Sequence, residues 1–162
     1  MKRAIGMAAV GLLAVAGVFA AGARAQTGTK QAQVFSSAEL QQQIASLEAA
    51  ARKNGSSGAT LGDYGSHRLQ LSLRAVNGGA EVHAHFDDVM VVLGGTATLI
   101  TGGTVIDGKT GPDGETKGSG IRDGVRHTIG KGDVLHIPAG TPHQLLIPPG
   151  TMFRAFVVKV RE

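Results

Sequence analysis

The hydrophobic residues of this chain change period near residue 55. Before it, Leu40, Ile44, Leu47 and Ala51 recur at helical spacing and form one apolar stripe. Ser36-Ser37-Ala38-Glu39 ahead of the stripe fits a capping box, with the Ser36 hydroxyl accepting from the open amides and Glu39 reaching back. Lys53-Asn54-Gly55 ends it with basic and left-handed-tolerant residues, so the pattern predicts a helix over 37–53. Its Gln-rich polar face suits packing on the domain or on a partner copy. Residues 26–33 are polar and without period, a short unstructured lead.

Beyond Gly55-Ser56-Ser57-Gly58 the pattern becomes one of short strands separated by Gly, Pro and Asp, at 67–75, 80–86, 89–93, 96–101, 126–129, 133–137, 143–147 and 153–160. Leu69, Leu71 and Leu73 alternate with Gln70, Ser72 and Arg74, the period of a half-buried strand. No second helical pattern interrupts the series, which disfavours parallel βαβ architecture and predicts an all-β sandwich or barrel with one N-terminal helix. Residues 108–124 hold six glycines and a proline in seventeen positions. They read as a long surface excursion, either a solvated hairpin extension or a lid over a barrel mouth.

Composition narrows the class. The chain has 162 residues, 42% of them hydrophobic, with 25 glycines, no tryptophan and no cysteine. One domain is expected, and disulfides, thiolate metal sites and cysteine nucleophiles are excluded. Met1-Lys2-Arg3, an uncharged stretch over 4–23 and Ala23-Arg24-Ala25 before Gln26 make the three regions of a secretory signal peptide. The expected organisation is therefore a signal peptide at 1–25, a lead and amphipathic helix at 26–57, and a β-barrel domain at 58–162 in an exported, periplasmic or secreted protein with no stable membrane anchor after cleavage. Loss of Lys2, Arg3 and Arg24 takes sixteen basic residues to thirteen against twelve acidic ones, leaving +1. With no basic stripe or aromatic stacking set, no nucleic-acid partner is expected. Gly103 to Thr110 satisfies the phosphate-loop pattern, but Gly111-Pro112-Asp113-Gly114 follows where that loop needs a helix. These residues read as a turn, and no nucleotide is expected.

The candidate chemistry lies in the histidines. His83 and His85, at i and i+2 of one predicted strand, point to the same face and can chelate one metal. Asp88 can join them if the chain turns at Phe86-Asp87, and His143 arrives from a distant strand after a Pro138-x-Gly140 corner. Here the chain resembles the cupin superfamily. That family's first motif is Gly, five residues, His-x-His, three or four residues, Glu, six residues, Gly; this chain offers Gly78 or Gly79, His83-x-His85, Asp88 and Gly95. The second motif is Gly, five residues, Pro-x-Gly, two residues, His, three residues, Asn; this chain offers Gly132, Pro138, Gly140 and His143, with Ile147 in place of Asn.

The resemblance implies a double-stranded β-helix, a jelly-roll barrel, holding one divalent transition metal on His83, His85 and His143 with Asp88 as fourth ligand. Asp88 stands one position closer to the histidines than the motif asks, with Asp87 an adjacent competitor. It reaches the metal directly, through a water, or only as a partner orienting a histidine. Imidazole with carboxylate suits Mn, Fe, Ni, Cu or Zn and does not suit Ca or Mg. The resemblance further implies a dioxygenase, decarboxylase or lyase acting on a small oxygen-bearing molecule, with His136, Gln144 or His127 handling protons. The competing expectation is a non-catalytic module that binds a sugar, an organic acid or a metal in a barrel lined by residues such as Val91, Leu145 and Phe156. A homodimer is expected, because open sheet edges need cover.

Overall fold

The structure, a computed structural model, describes residues 31–162; the signal peptide expected at 1–25 lies outside them. The helix forms as α1 (Ser37–Asn54), and both reciprocal bonds of its capping box are made: Glu39 N to Ser36 Oγ at 3.2 Å and Ser36 N to Glu39 Oε2 at 2.8 Å. It stops at Gly55, whose φ of 86° is left-handed.

Thirteen strands follow: β1 (Ser56–Asp63), β2 (His67–Arg74), β3 (Ala80–His83), β4 (Phe86–Gly94), β5 (Thr96–Thr101), β6 (Thr104–Ile106), β7 (Lys109–Thr110), β8 (Glu115–Gly118), β9 (Gly120–Arg122), β10 (Val125–Gly130), β11 (Val134–Ile137), β12 (His143–Leu146) and β13 (Phe153–Arg161). Every pairing is antiparallel. One sheet runs β1-β2-β13-β4-β11, the other β10-β5-β12-β3-β8-β7, and β6 with β9 forms a small ribbon. The two large sheets face each other as a jelly-roll barrel, the all-β architecture with one helix that the pattern predicts.

Four features depart from the sequence reading. Ser56 begins a strand, so the 26–57 segment already overlaps β1, which runs antiparallel on β2 from Ser56↔Arg74 to Asp63↔Arg68. The strand expected at 80–86 is two strands. β3 belongs to the six-stranded sheet and β4 to the five-stranded one, and the chain changes sheets at a bend over Ala84 and His85. The excursion at 108–124 is a hairpin extension with an exposed tip, β7 on β8, and it is also part of the sheet, for β8 docks on β3 in the register Ala80↔Gly118 to His83↔Glu115. Gly79 permits that approach, since a Cβ there would lie 2.8 Å from the Gly118 carbonyl oxygen. The phosphate-loop pattern contains no helix and falls on β6, a turn and β7, as its Gly and Pro content requires.

The fourth departure concerns the leucine stripe. Leu71 and Leu73 are buried, but against α1: they cluster with Ala51 and Met152, and Leu40, Ile44, Leu47 and Phe156 pack on them. At about 1.5–3 kcal/mol per buried side chain, this outer layer holds the helix on the five-stranded sheet, and Arg154 adds an ion pair to Glu48 at 2.6 Å. Phe156 therefore does not line the barrel. The interior is built instead from Met90, Val92, Leu99, Ile129, Phe153 and Val157 with their neighbours. Ile147, which replaces the motif Asn, is buried in that same cluster. Because Leu71 and Leu73 face α1, the alternate residues of β2 face the barrel, and Gln70, Ser72 and Arg74 line its cavity.

Candidate metal centre

Glu81 and His83 occupy i and i+2 of β3, so they share its inward face. Across the sheet, β12 pairs with β3 through His143↔Glu81, which sets His143 beside them. One ligand-capable atom from each of Glu81, His83 and His143 lies within 4.8 Å of the others. Asp88 comes from the opposite sheet, just past the bend, and its Oδ2 is 3.3 Å from His83 Nε2. His83, Asp88 and His143 are all buried. Together they line a cavity of about 100 Å³ whose apolar wall includes Met90, Leu99 and Val157.

Both imidazoles are held from behind. His83 Nδ1 donates to Glu115 Oε2, the carboxylate that β8 delivers opposite His83. His143 Nδ1 donates to the Thr141 carbonyl at 3.0 Å. Each bond fixes its ring so that Nε2 is presented to the cavity, the arrangement by which outer partners set the tautomer of metal-ligating histidines. The Gly140 amide donates to the His83 carbonyl at 2.8 Å, tying the Pro138-x-Gly140 corner to the end of β3.

The adjacent aspartates divide. Asp87 turns to the corner, accepting from the Ala139 amide at 2.7 Å and from His136 Nε2 at 3.0 Å. Asp88 turns inward and accepts from Lys159 Nζ at 2.7 Å.

Three sequence expectations, for His85, His136 and His127, need correction. His85 is exposed at the bend and is not brought to the cluster, because the strand that would have aligned it with His83 ends at His83. His136 shares a face with Val134, as its alternation says, but both are exposed on the outer side of β11. His127 is exposed on β10, where its Nε2 lies 3.3 Å from Thr101 Oγ1. Gln144 does line the cavity, although its Nε2 is engaged in donating to the Gly78 carbonyl at 2.9 Å. Glu81, Glu115, Arg74 and Lys159 are cavity or site residues that the sequence reading missed. For Glu81 a signal existed: Glu81-x-His83, four residues, Asp88, six residues, Gly95 keeps the first motif's spacing from the pair onward, with Ala75 at the place of its first Gly, whereas His83-x-His85 leaves Asp88 one position short. In that register a carboxylate replaces the first histidine of the pair. Gly95, with φ 75°, closes the motif where a Cβ would lie 2.4 Å from the Met152 carbonyl oxygen.

No family model matches the sequence, and no curated protein does either. Solved structures do match. The cupin domain of Cnp3 from Schizosaccharomyces pombe aligns with a TM-score of 0.50 at 10% identity, over 67% of this chain and 66% of that one. The chain has the cupin fold. A cupin 2 conserved barrel domain protein from Salinispora arenicola aligns at 0.46 with 18% identity, over 66% of this chain and 76% of its own, and the polyketide cyclase RemF from Streptomyces resistomycificus at 0.47 with 22% identity, over 67% and 68%. At such identities the likeness is one of fold, and function has to be argued from this chain's own site.

Electrostatics sort the donors of that site. Burial would lower the His83 pKa, but its hydrogen bonds to Asp88 and Glu115 prevail and hold it above the ordinary imidazole value. Burial would raise Asp88, yet the His83 hydrogen bond and the Lys159 charge keep its carboxyl below the usual range. Burial dominates at His143 and pushes it down, so that imidazole is neutral at pH 7. An ion ligated by both rings would therefore displace a proton from His83 and none from His143. At pH 6.5, below the raised His83 value, metal uptake is expected to release most of a proton per site, the release fading as pH rises through that value, and affinity is expected to fall as pH drops below it. Calorimetry in buffers of different ionisation heat measures this release, and none at pH 6.5 would contradict the role given to His83. Replacing Glu115 by Gln, which keeps the shape but removes the charge behind His83, is expected to weaken metal binding about 10–100-fold, read by competition with a chromophoric chelator.

Proposed function

We propose that this cupin holds one divalent transition metal on Glu81, His83, Asp88 and His143 and is a metal-dependent enzyme acting on a small oxygen-bearing molecule. The observation that carries the reading is the convergence of a carboxylate and two oriented imidazoles within 4.8 Å, with a second buried carboxylate alongside, on the wall of a cavity. Two imidazoles with two carboxylates form a harder donor set than three imidazoles with one, which moves the preference from Cu toward Mn, Fe or Zn. Bound there, the ion supplies Lewis acidity toward a substrate oxygen.

The protein's own residues do the rest. Glu115 and the Thr141 carbonyl orient the two rings. Met90, Leu99 and Val157 keep water from one side of the cavity. Lys159 holds a proton at Nζ, 2.7 Å from Asp88 and inside the cavity, where a lyase or decarboxylase needs a donor for the carbon or oxygen it unmasks. That titratable neighbour favours an enzyme over a passive binding module, and it takes the place of the exposed His136 and His127.

Elemental analysis of the purified full chain, as isolated and after reconstitution, tests the reading. About one Mn, Fe or Zn per chain is expected; Fe or Cu would direct the search to dioxygenase reactions and Zn or Mn to lyase and decarboxylase ones, and no uptake of any of these ions would overturn it. Export and pairing remain part of the proposal. A mature N-terminus at Gln26, read by intact mass in a secreting host, supports the first, and a two-chain mass by light scattering supports the second.

A further inference from the structure

The cavity holds two cations placed behind the carboxylates of the proposed ligand set. Arg74 Nη2 is 3.5 Å from Glu81 Oε1, while Glu81 Oε2 is the oxygen turned toward His83 Nε2, at 3.9 Å. Lys159 Nζ is 2.7 Å from Asp88 Oδ1, while Asp88 Oδ2 is the oxygen turned toward the same nitrogen, at 3.3 Å. Each carboxylate thus gives one oxygen to a cation and the other to the ligand cluster. Both cationic side chains are largely shielded, Arg74 at 23% and Lys159 at 18% exposure.

The charges decide what the site lacks. A divalent ion with Arg74 and Lys159 brings four positive charges; Glu81, Asp88 and Glu115 bring three negative ones; and imidazoles that ligate are neutral. The loaded site carries one uncompensated positive charge against a wall of Met90, Leu99, Leu145 and Val157, where an unpaired charge is costly. A single anion balances it. Arg74 is also the group whose planar fork matches a carboxylate, and it reaches the cavity from the polar face of β2, which is turned inward only because the leucines of that strand are taken by α1.

We propose that the ligand of this cavity is a small monocarboxylate seated on Arg74, with its remaining polar end toward the metal ligands and within reach of Gln70, Gln144 and Lys159. The cavity of about 100 Å³ restricts it to an acid of a few carbon atoms. This assignment rests on the metal-centre reading and names its substrate class.

The test uses the full chain loaded with zinc, its zinc content measured, and titrated calorimetrically with propionate and with propionamide, a neutral molecule of the same shape. Propionate is expected to bind about tenfold or more tightly than propionamide, the scale of a charge-assisted hydrogen bond. Arg74→Met, loaded at saturating zinc and with its zinc content verified, is expected to bind propionate no more tightly than propionamide. Arg74→Lys, which keeps the charge behind Glu81 without the fork, is expected to hold zinc and retain only part of the preference. Failure to load zinc overturns the metal reading itself. Zinc at about one per chain with equal affinity for the two probes, or a propionate preference that survives Arg74→Met, overturns the carboxylate assignment alone.

Discussion

Bound metal is expected to fall from about one ion per chain to near none when Glu81 or His143 is replaced by alanine, and to stay unchanged when His85 is. The three substitutions separate the two registers in which the first motif can be laid on this chain. His143 is buried and its ring is fixed by the Thr141 carbonyl, so truncation removes an oriented donor that no neighbour can replace. Glu81 lies directly across from it in the sheet. Loss of a residue that merely orients a ligand costs about 10–100-fold in affinity, and loss of either donor is expected to exceed that, beyond a hundredfold. His85 stands exposed on the bend where the chain leaves one sheet for the other, and its removal leaves every ligand atom of the cluster in place. Elemental analysis of the variants beside the wild type reads all three. Metal lost with His85 and kept with Glu81→Ala would restore the His83-x-His85 register and refute the one drawn from the fold.

That pair of registers shows where sequence reading ends. The helix was legible to its caps because capping is local: Ser36, Glu39 and Gly55 act within one turn of the residues they satisfy. Seven strands and the corner before His143 were legible from alternation and from Gly and Pro punctuation. The inward-facing pair was misread because period-2 logic assumes an unbroken strand, and nothing in Val82-His83-Ala84-His85 announces that the strand ends at His83 to change sheets. β1 was hidden by its Gly and Ser residues, which carry little strand propensity and take their place by pairing with β2. Glu115 was hidden for the same reason inside a turn-rich segment, 32 residues from the histidine it holds. The facing of β2 could not be read at all, since alternation says that one face is apolar and does not say whether a helix or the barrel covers it.

Phe153→Ala is expected to cost about 3–5 kcal/mol, the range for truncating a fully buried aromatic residue, while Phe156→Ala costs clearly less. Phe153 is 0% exposed and sits in the barrel interior beside Val92 and Ala155. Phe156 lies on the other face of the same strand, only partly buried beneath α1. Against a total stability of about 5–15 kcal/mol, the first change removes about a fifth or more, and the melting temperature should fall by about 10–20 °C. Urea unfolding with unchanged slope gives both values as differences in stability rather than in the extent of unfolding. If the order is reversed, the two-layer assignment of β13 is wrong, and with it the inward facing of Val157 and Lys159 on which the cavity depends. Metal supplies an internal control: an ion that binds only the folded chain adds the same increment to wild type and Phe156→Ala. A smaller increment in Phe153→Ala would show that the barrel core and the ligand cluster are mechanically one unit, because residues 153 and 159 belong to a single strand whose inward side chains run from the apolar core to the site.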